Sequence, residues 1–203
     1  MFELSSADAL HEECGVFGIY DKTGETDMVS AVYSALYALQ HRGQESCGIA
    51  LNVDGVLSNH RDLGLVSEVF TKRVLEDLPK GAKMATGHVR YATSGRRTRS
   101  NAQPMLLHHC KGAMAICHNG NLVNAGTLRR ELELKGSIFY GTSDTEVIGY
   151  LLTQKRLTAP NIETAVSETM DIIKGAYSLV IMSHTKLIAA RDPNGFRPLC
   201  IGE

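Results

Sequence analysis

The residues of this sequence best suited to chemistry begin with Cys14, in Glu12-Glu13-Cys14-Gly15-Val16-Phe17-Gly18-Ile19. A cysteine at the mouth of an apolar run can act as a nucleophile on an acyl carbon when something takes its proton. Asn119-Gly120-Asn121 follows a second apolar run and offers a carboxamide N–H and an unobstructed glycine N–H, the two donors an oxyanion hole requires. Arg90, in His88-Val89-Arg90-Tyr91-Ala92-Thr93-Ser94-Gly95, could clamp a carboxylate with its forked guanidinium. Asp144, in Gly141-Thr142-Ser143-Asp144-Thr145-Glu146, places a carboxylate in the first turn of a helix. Each residue also has a plain structural use. Free cysteines are often small buried hydrophobes, Asn-Gly makes tight turns, arginines form surface ion pairs, and carboxylates favour helix N-termini.

These side chains need elements to hold them, and the pattern supplies both strands and helices. Val16 to Tyr20 is predicted as a strand directly after Cys14. Val29, Val32, Tyr33, Leu36, Tyr37 and Leu39 recur at helical spacing and predict an amphipathic helix ending near Gln40. Gly48 to Val53 and Val56 to Asn59 flank Asp54-Gly55, a dipeptide suited to a type I′ hairpin. Gly87 to Ala92 and Ala113 to His118 read as further strands, with Asn119-Gly120 as a turn after the second. Helices are expected at Thr127 to Lys135, closed by Gly136, from the capping-box pattern Ser143-x-x-Glu146 to about Lys155, and from Asn161 to Lys174. Tyr177 to Ser183, Lys186 to Arg191 and Leu199 to Ile201 complete an antiparallel set. Hairpins outnumber strand–helix–strand alternations, so the class is α+β with mostly antiparallel sheets, in one domain.

Composition narrows the function classes. Of 203 residues, 43% are hydrophobic and 21% charged, and the net charge of -1 favours neither nucleic acid nor an anionic membrane. No apolar stretch approaches the ~20 residues that span a bilayer. Residues 1–13 carry Glu3, Asp8, Glu12 and Glu13 and lack a basic n-region, which predicts an acidic leader rather than a secretory signal. Five cysteines without a CxxC fit a reducing cytoplasm better than a disulfide framework. His108, His109, Cys110, Cys117 and His118 suggest zinc. Adjacent strand side chains point to opposite faces, however, so Cys117 and His118 do not suit one ion.

Six segments in order resemble the class II glutamine amidotransferases: Cys14-Gly15-Val16-Phe17-Gly18, Gln40-His41-Arg42-Gly43-Gln44-Glu45-Ser46, Gly87-His88-Val89-Arg90-Tyr91, Asn101-Ala102-Gln103-Pro104, His118-Asn119-Gly120-Asn121-Leu122 and Ser143-Asp144-Thr145-Glu146. With the His41–Ser46 run, Arg191-Asp192-Pro193-Asn194-Gly195-Phe196-Arg197-Pro198-Leu199 is similar to the branch that passes ammonia to phosphoribosyl pyrophosphate in the first committed step of purine synthesis. The resemblance covers essentially everything from Cys14 to Glu203. It implies the N-terminal nucleophile hydrolase fold, a four-layer αββα sandwich. It also implies that Cys14 is the nucleophile and that Asn119 with Gly120 forms the oxyanion hole. Arg90 and Asp144 would hold the α-carboxylate and α-ammonium of glutamine, with Tyr91 and Thr93 as further substrate contacts.

No His or Asp stands beside Cys14 as an obvious base. In the family the free α-amino group of the mature cysteine serves, so removal of the 1–13 propeptide is expected to switch the 14–203 glutaminase domain on. Longer members of the family carry a phosphoribosyltransferase domain that uses Mg2+ and can hold an iron–sulfur cluster. That domain is expected to be absent here, making the chain a piece of a larger cytoplasmic enzyme that is a homo-oligomer at full length. Three other readings stay open. One is the glutaminase domain of a different amidotransferase, against which the Gln40–Ser46 and Gly195–Leu199 runs argue. The others are an unprocessed non-catalytic interaction module and a metal-binding protein built on His108–His118.

Overall fold

The structure is a computed structural model that describes residues 14–91 and 98–203. The acidic leader and the 92–97 segment, which includes Thr93, lie outside the described residues.

Among the described residues, eight strands form two four-stranded antiparallel sheets. The first has the order β1-β4-β2-β3, from β1 (Gly15–Tyr20), β2 (Ser46–Val53), β3 (Val56–Leu63) and β4 (Met84–Arg90). The second has the order β5-β6-β7-β8, from β5 (Met105–His109), β6 (Gly112–Leu122), β7 (Gly175–Ser183) and β8 (Leu187–Arg191). Helices α1 (Met28–Ala38), α2 (Val66–Val69) and α3 (Lys72–Asp77) belong with the first sheet, while α4 (Ala125–Leu134), α5 (Asp144–Thr158) and α6 (Ile162–Met170) belong with the second.

Burial follows from this layering. One apolar cluster joins α1 and α2 to the outer face of the first sheet through Val32, Leu36, Ile49, Val66 and Val89. A larger one joins α4, α5 and α6 to the outer face of the second through Ile116, Leu132, Ile148, Leu152 and Tyr177. Between the sheets lies a thinner layer of Ala50, Leu57, Met84, Ala115 and Met182. The described residues therefore form the αββα sandwich that the family resemblance implies.

Local chemistry explains most element ends. Asp27 caps α1 by accepting from the Val29 and Ser30 amides. The Asp54-Gly55 hairpin forms as predicted, with both residues at positive φ (50° and 87°), as a type I′ turn requires. After α4, Ser137 N donates to Leu132 O and Gly136 N to Glu133 O, a Schellman closure around Gly136 at φ 92°.

Several expectations need correction. Asn119-Gly120 is no turn but lies within β6, which pairs with β7 from Met114↔Ser183 to Leu122↔Gly175. The long partner strand extends the ladder past the Asn-Gly signal. Glu146 does not complete a capping box at Ser143; its two carboxylate oxygens accept from the Tyr140 and Gly141 amides, 2.9 Å each. The third long helix stops at Met170 rather than Lys174. No strand forms at 199–201, because Asp192 gathers the amides of Asn194, Phe196 and Arg197 and curls the chain after β8.

Candidate functional site

Cys14 stands immediately before β1, one residue beyond the pair Gly15↔Val89, which sets it opposite Arg90 at the end of β4. Directly paired residues share a face, so Cys14, Arg90 and Ser46 (the partner of Arg90 on β2) form one row. The same face carries Thr86, whose Oγ1 meets Cys117 Sγ on β6 at 3.2 Å, so this row looks toward the second sheet.

The Tyr91 peptide grips the thiol from both sides. Tyr91 N donates to Cys14 Sγ at 3.3 Å, and the thiol donates to Tyr91 O at 3.4 Å. Arg42 Nε donates to the Cys14 carbonyl at 3.2 Å. Burial pushes the Cys14 thiol above its ordinary pKa, against the Tyr91 hydrogen bond and the positive charge of Arg90, while the Asp144 carboxylate adds to the rise. Cys14 is thus a neutral thiol at pH 7 in the chain as it stands, with an amide on its nitrogen.

The guanidinium of Arg90 is buried (3% exposed) and pairs through Nη1 with Glu45 Oε1. Glu45 is fixed by its own backbone, with Glu45 N donating to Arg90 O at 3.0 Å. The Gln40–Ser46 segment therefore backs the site. Gln40 Oε1 accepts from Val66 N, and Gly43 is pressed so close to the 89–90 peptides that a Cβ there would lie 2.6 Å from Val89 C. The run that carries part of the family resemblance thus has a structural task, holding Cys14 through Arg42 and Arg90 through Glu45.

Asp144 opens α5 behind the N-cap Ser143. Its Oδ2 accepts from Leu122 N at 3.0 Å, and its Oδ1 lies 3.4 Å from His118 Nδ1. Burial acts to raise its pKa, but His118 and the amides of Leu122 and Thr145 outweigh this and hold the carboxyl below its usual value. Asp144 is ionised at neutral pH.

Asn119 and Gly120 sit on β6 of the second sheet. Asn119 is buried and shares the face of Cys117, turned to the first sheet, and its Oδ1 has no hydrogen-bond partner among the described residues. Gly120 has φ 151°, and a Cβ on it would lie 2.0 Å from Ala176 O, so only glycine fits against β7. The structure hydrogen-bonds the Cys14 thiol to the Tyr91 backbone and puts both Arg90 and Asp144 within electrostatic reach of it. The Tyr91 ring itself is exposed.

His88, Gln103 and Asn101 are site residues whose roles the sequence did not reveal. His88 Nε2 donates to His118 O at 2.9 Å, crossing between the sheets, and burial drives its pKa down to about 3, so it is neutral. Cys117 faces Thr86 whereas His118 faces Thr145 and Asp144, on opposite sides of β6. Among the described residues no three His, Cys, Asp or Glu side chains converge as an ion's ligands.

Two antiparallel sheets between helical layers, with a cysteine immediately before the first strand, define an N-terminal nucleophile hydrolase sandwich. Residues 88–203 match the family described as glutamine amidotransferase domain, and the chain belongs to that family. It is 45% identical over 203 residues to an amidophosphoribosyltransferase of Staphylococcus aureus (strain MRSA252), covering 100% of this chain and 39% of that protein. A second amidophosphoribosyltransferase, from Methanocaldococcus jannaschii, is 44% identical over 189 residues, 93% of this chain and 40% of its own length. Among solved structures, the glutamine phosphoribosylpyrophosphate amidotransferase from B. subtilis complexed with ADP and GMP superposes with a TM-score of 0.80 at 41% identity, over 90% of this chain and 38% of that one. The chain thus spans about two fifths of the length of the curated relatives it matches. No helix among the described residues is long and apolar enough to cross a membrane.

Proposed function

We propose that this chain hydrolyses the side-chain amide of glutamine and that Cys14, freed of residues 1–13, is the nucleophile. The observation that carries the proposal is the buried Cys14 thiol, gripped by the Tyr91 peptide and flanked by one buried cation, Arg90, and one buried anion, Asp144. Free glutamine presents an α-carboxylate and an α-ammonium, the complement of that pair. Arg90 takes the carboxylate, sharing its fork with Glu45, and Asp144 takes the ammonium. Tyr91 and Thr93 complete the substrate contacts.

The Cys14 α-amine, once free, titrates near ~7.7–8.0 and accepts the thiol proton at neutral pH. The thiolate attacks the carboxamide carbon, and Asn119 and Gly120 hold the resulting oxyanion. The protonated amine gives its proton to the departing nitrogen, so ammonia leaves and a γ-glutamyl thioester remains. Water adds to the thioester with the amine as base. Collapse returns the proton to sulfur and releases glutamate. While Glu13 is attached, the nitrogen is an amide without basicity, so the unprocessed chain is inactive.

The name shared by the relatives supports a wider proposal. In a longer protein, the ammonia would pass to a phosphoribosyltransferase domain and convert phosphoribosyl pyrophosphate to phosphoribosylamine, opening purine synthesis.

Intact mass combined with labelling by a diazoketone analogue of glutamine tests the site. The expected result is loss of residues 1–13 and a single adduct on Cys14. An adduct on any other cysteine overturns the site, and full-speed hydrolysis by a preparation still blocked at the Cys14 nitrogen overturns the role of the amine.

A further inference from the structure

We infer that the segment from Asn101 to Gln103 is a two-armed brace that positions both halves of the glutaminase site, Gln103 holding the oxyanion strand and Asn101 the ammonium-binding helix start. The inference deepens the reading above, resting on the roles given there to Asn119, Gly120 and Asp144.

The Gln103 arm is a substitute for a missing strand. The β5–β6 ladder runs only to the pair Met105↔Ile116, two residues short of His118. Beyond it the chain leaves the ladder, and the buried Gln103 carboxamide takes the place of a strand peptide. Its Oε1 accepts from His118 N at 2.6 Å, and its Nε2 donates to His118 O at 3.4 Å. The same carbonyl accepts from His88 Nε2 at 2.9 Å. Both polar groups of the His118 backbone are thereby held from the side opposite β7, one residue before Asn119. An oxyanion hole works only while its donors stay within hydrogen-bond reach of a charge that exists briefly, so the support of that strand matters in the transition state.

The Asn101 arm reaches the other way. Asn101 is fully buried, and its Oδ1 accepts from Thr142 N at 2.8 Å and Ser143 N at 3.2 Å, while its Nδ2 donates to Thr142 Oγ1 at 2.9 Å. Ser143 is the N-cap of α5 and Asp144 its first residue. Gly141 lets this loop lie on the amide, for a Cβ there would stand 2.5 Å from Asn101 Oδ1. Between the arms, Arg61 Nη1 donates to the Ala102 carbonyl and fixes the segment to β3. Asn101 and Gln103 are positioning residues acting through others.

The two arms have separable kinetic signatures. Loss of an interaction made only in the transition state lowers kcat, whereas loss of one made equally in the ground state raises KM. In the processed enzyme, Gln103→Met is expected to lower kcat ~10-fold or more with KM within ~3-fold, and Asn101→Ala to raise KM ~10-fold with kcat within ~3-fold. Gln103→Glu keeps the acceptor for His118 N–H and Asn101→Asp keeps the acceptor for the Thr142 and Ser143 amides, so each recovers part of the loss. These two also carry the test if the apolar variants fail to fold. Equal damage to both parameters from both arms, or a lower thermal midpoint with unchanged kinetics, overturns the brace. Asn119→Ala and Asp144→Asn are measured alongside. If they do not affect kcat and KM respectively, the proposed site is wrong; if they do while the brace variants show no such split, only the brace falls.

Discussion

The Cys14 thiol is more strongly shaped by its surroundings than by its type. Burial raises its pKa, and Arg90 and the Tyr91 amide only partly oppose that. A group whose thiolate is disfavoured by burial ionises at higher pH than an ordinary thiol, so the sign is clear: at pH 7 the unprocessed chain holds it protonated. Alkylation of Cys14 in that form is therefore expected to be slower than that of the exposed Cys110, and to rise with pH beyond the range where ordinary thiols level off. Peptide mapping after timed exposure to iodoacetamide at pH 7 and pH 9 checks this, and equal rates at pH 7 would contradict it. The residue types were legible in the sequence because a nucleophile, an Asn-Gly pair, an arginine and an aspartate each bring their own chemistry. What could not be read was who holds them. Glu45 on Arg90 and Arg42 on the Cys14 carbonyl join residues distant in sequence, and spacing along the chain carries no trace of such contacts.

The strongly periodic or turn-marked elements, α1, the β2–β3 hairpin, β7 and α4 with its Gly136 closure, all form near their expected places. Local signals fail where a tertiary partner outvotes them. Asn119-Gly120 carries a strong short-range hairpin signal, yet β7 and the Gln103 carboxamide keep it in an extended strand. Gly120 is needed there for a different reason, the close approach of the β7 backbone. The short β5, α2 and α3 offered too few residues for any period to emerge. Gly120→Ala is accordingly expected to destabilise the fold by about 3 kcal/mol or more, because the clash is with backbone and cannot be relieved by a rotamer change. Asn121→Ala, at the exposed neighbouring position, should stay within about 0.5 kcal/mol. Denaturant midpoints at constant m-value measure both, and a Gly120→Ala midpoint near that of the parent would remove the steric argument.

At the scale of the molecule, the candidate site belongs to neither sheet alone. Cys14 immediately precedes β1 and Arg90 ends β4 of the first sheet, whereas Asn119, Gly120 and Asp144 belong to the second sheet and its helix layer. Their separation is set by the layer between the sheets, in which Leu57, Met84 and Met182 pack with the small Ala50 and Ala115. Polar ties cross it as well: Asn52 Nδ2 to Ser183 O at 2.8 Å, and His88 to the His118 carbonyl. A gap in this layer should therefore loosen the fit of one half-site against the other as well as weaken the fold. Met182 is fully buried, and Met182→Ala is expected to cost about 2–5 kcal/mol, the range for emptying a packed core position. If the sheets depend on one another, unfolding remains a single transition by both far- and near-ultraviolet signals, and kcat of the processed enzyme falls while the folded fraction stays complete at assay temperature. Two separate transitions would mean that each sheet with its helices stands alone. An unchanged kcat would mean that the half-sites are held by the Gln103 and Arg90 contacts without help from the layer between.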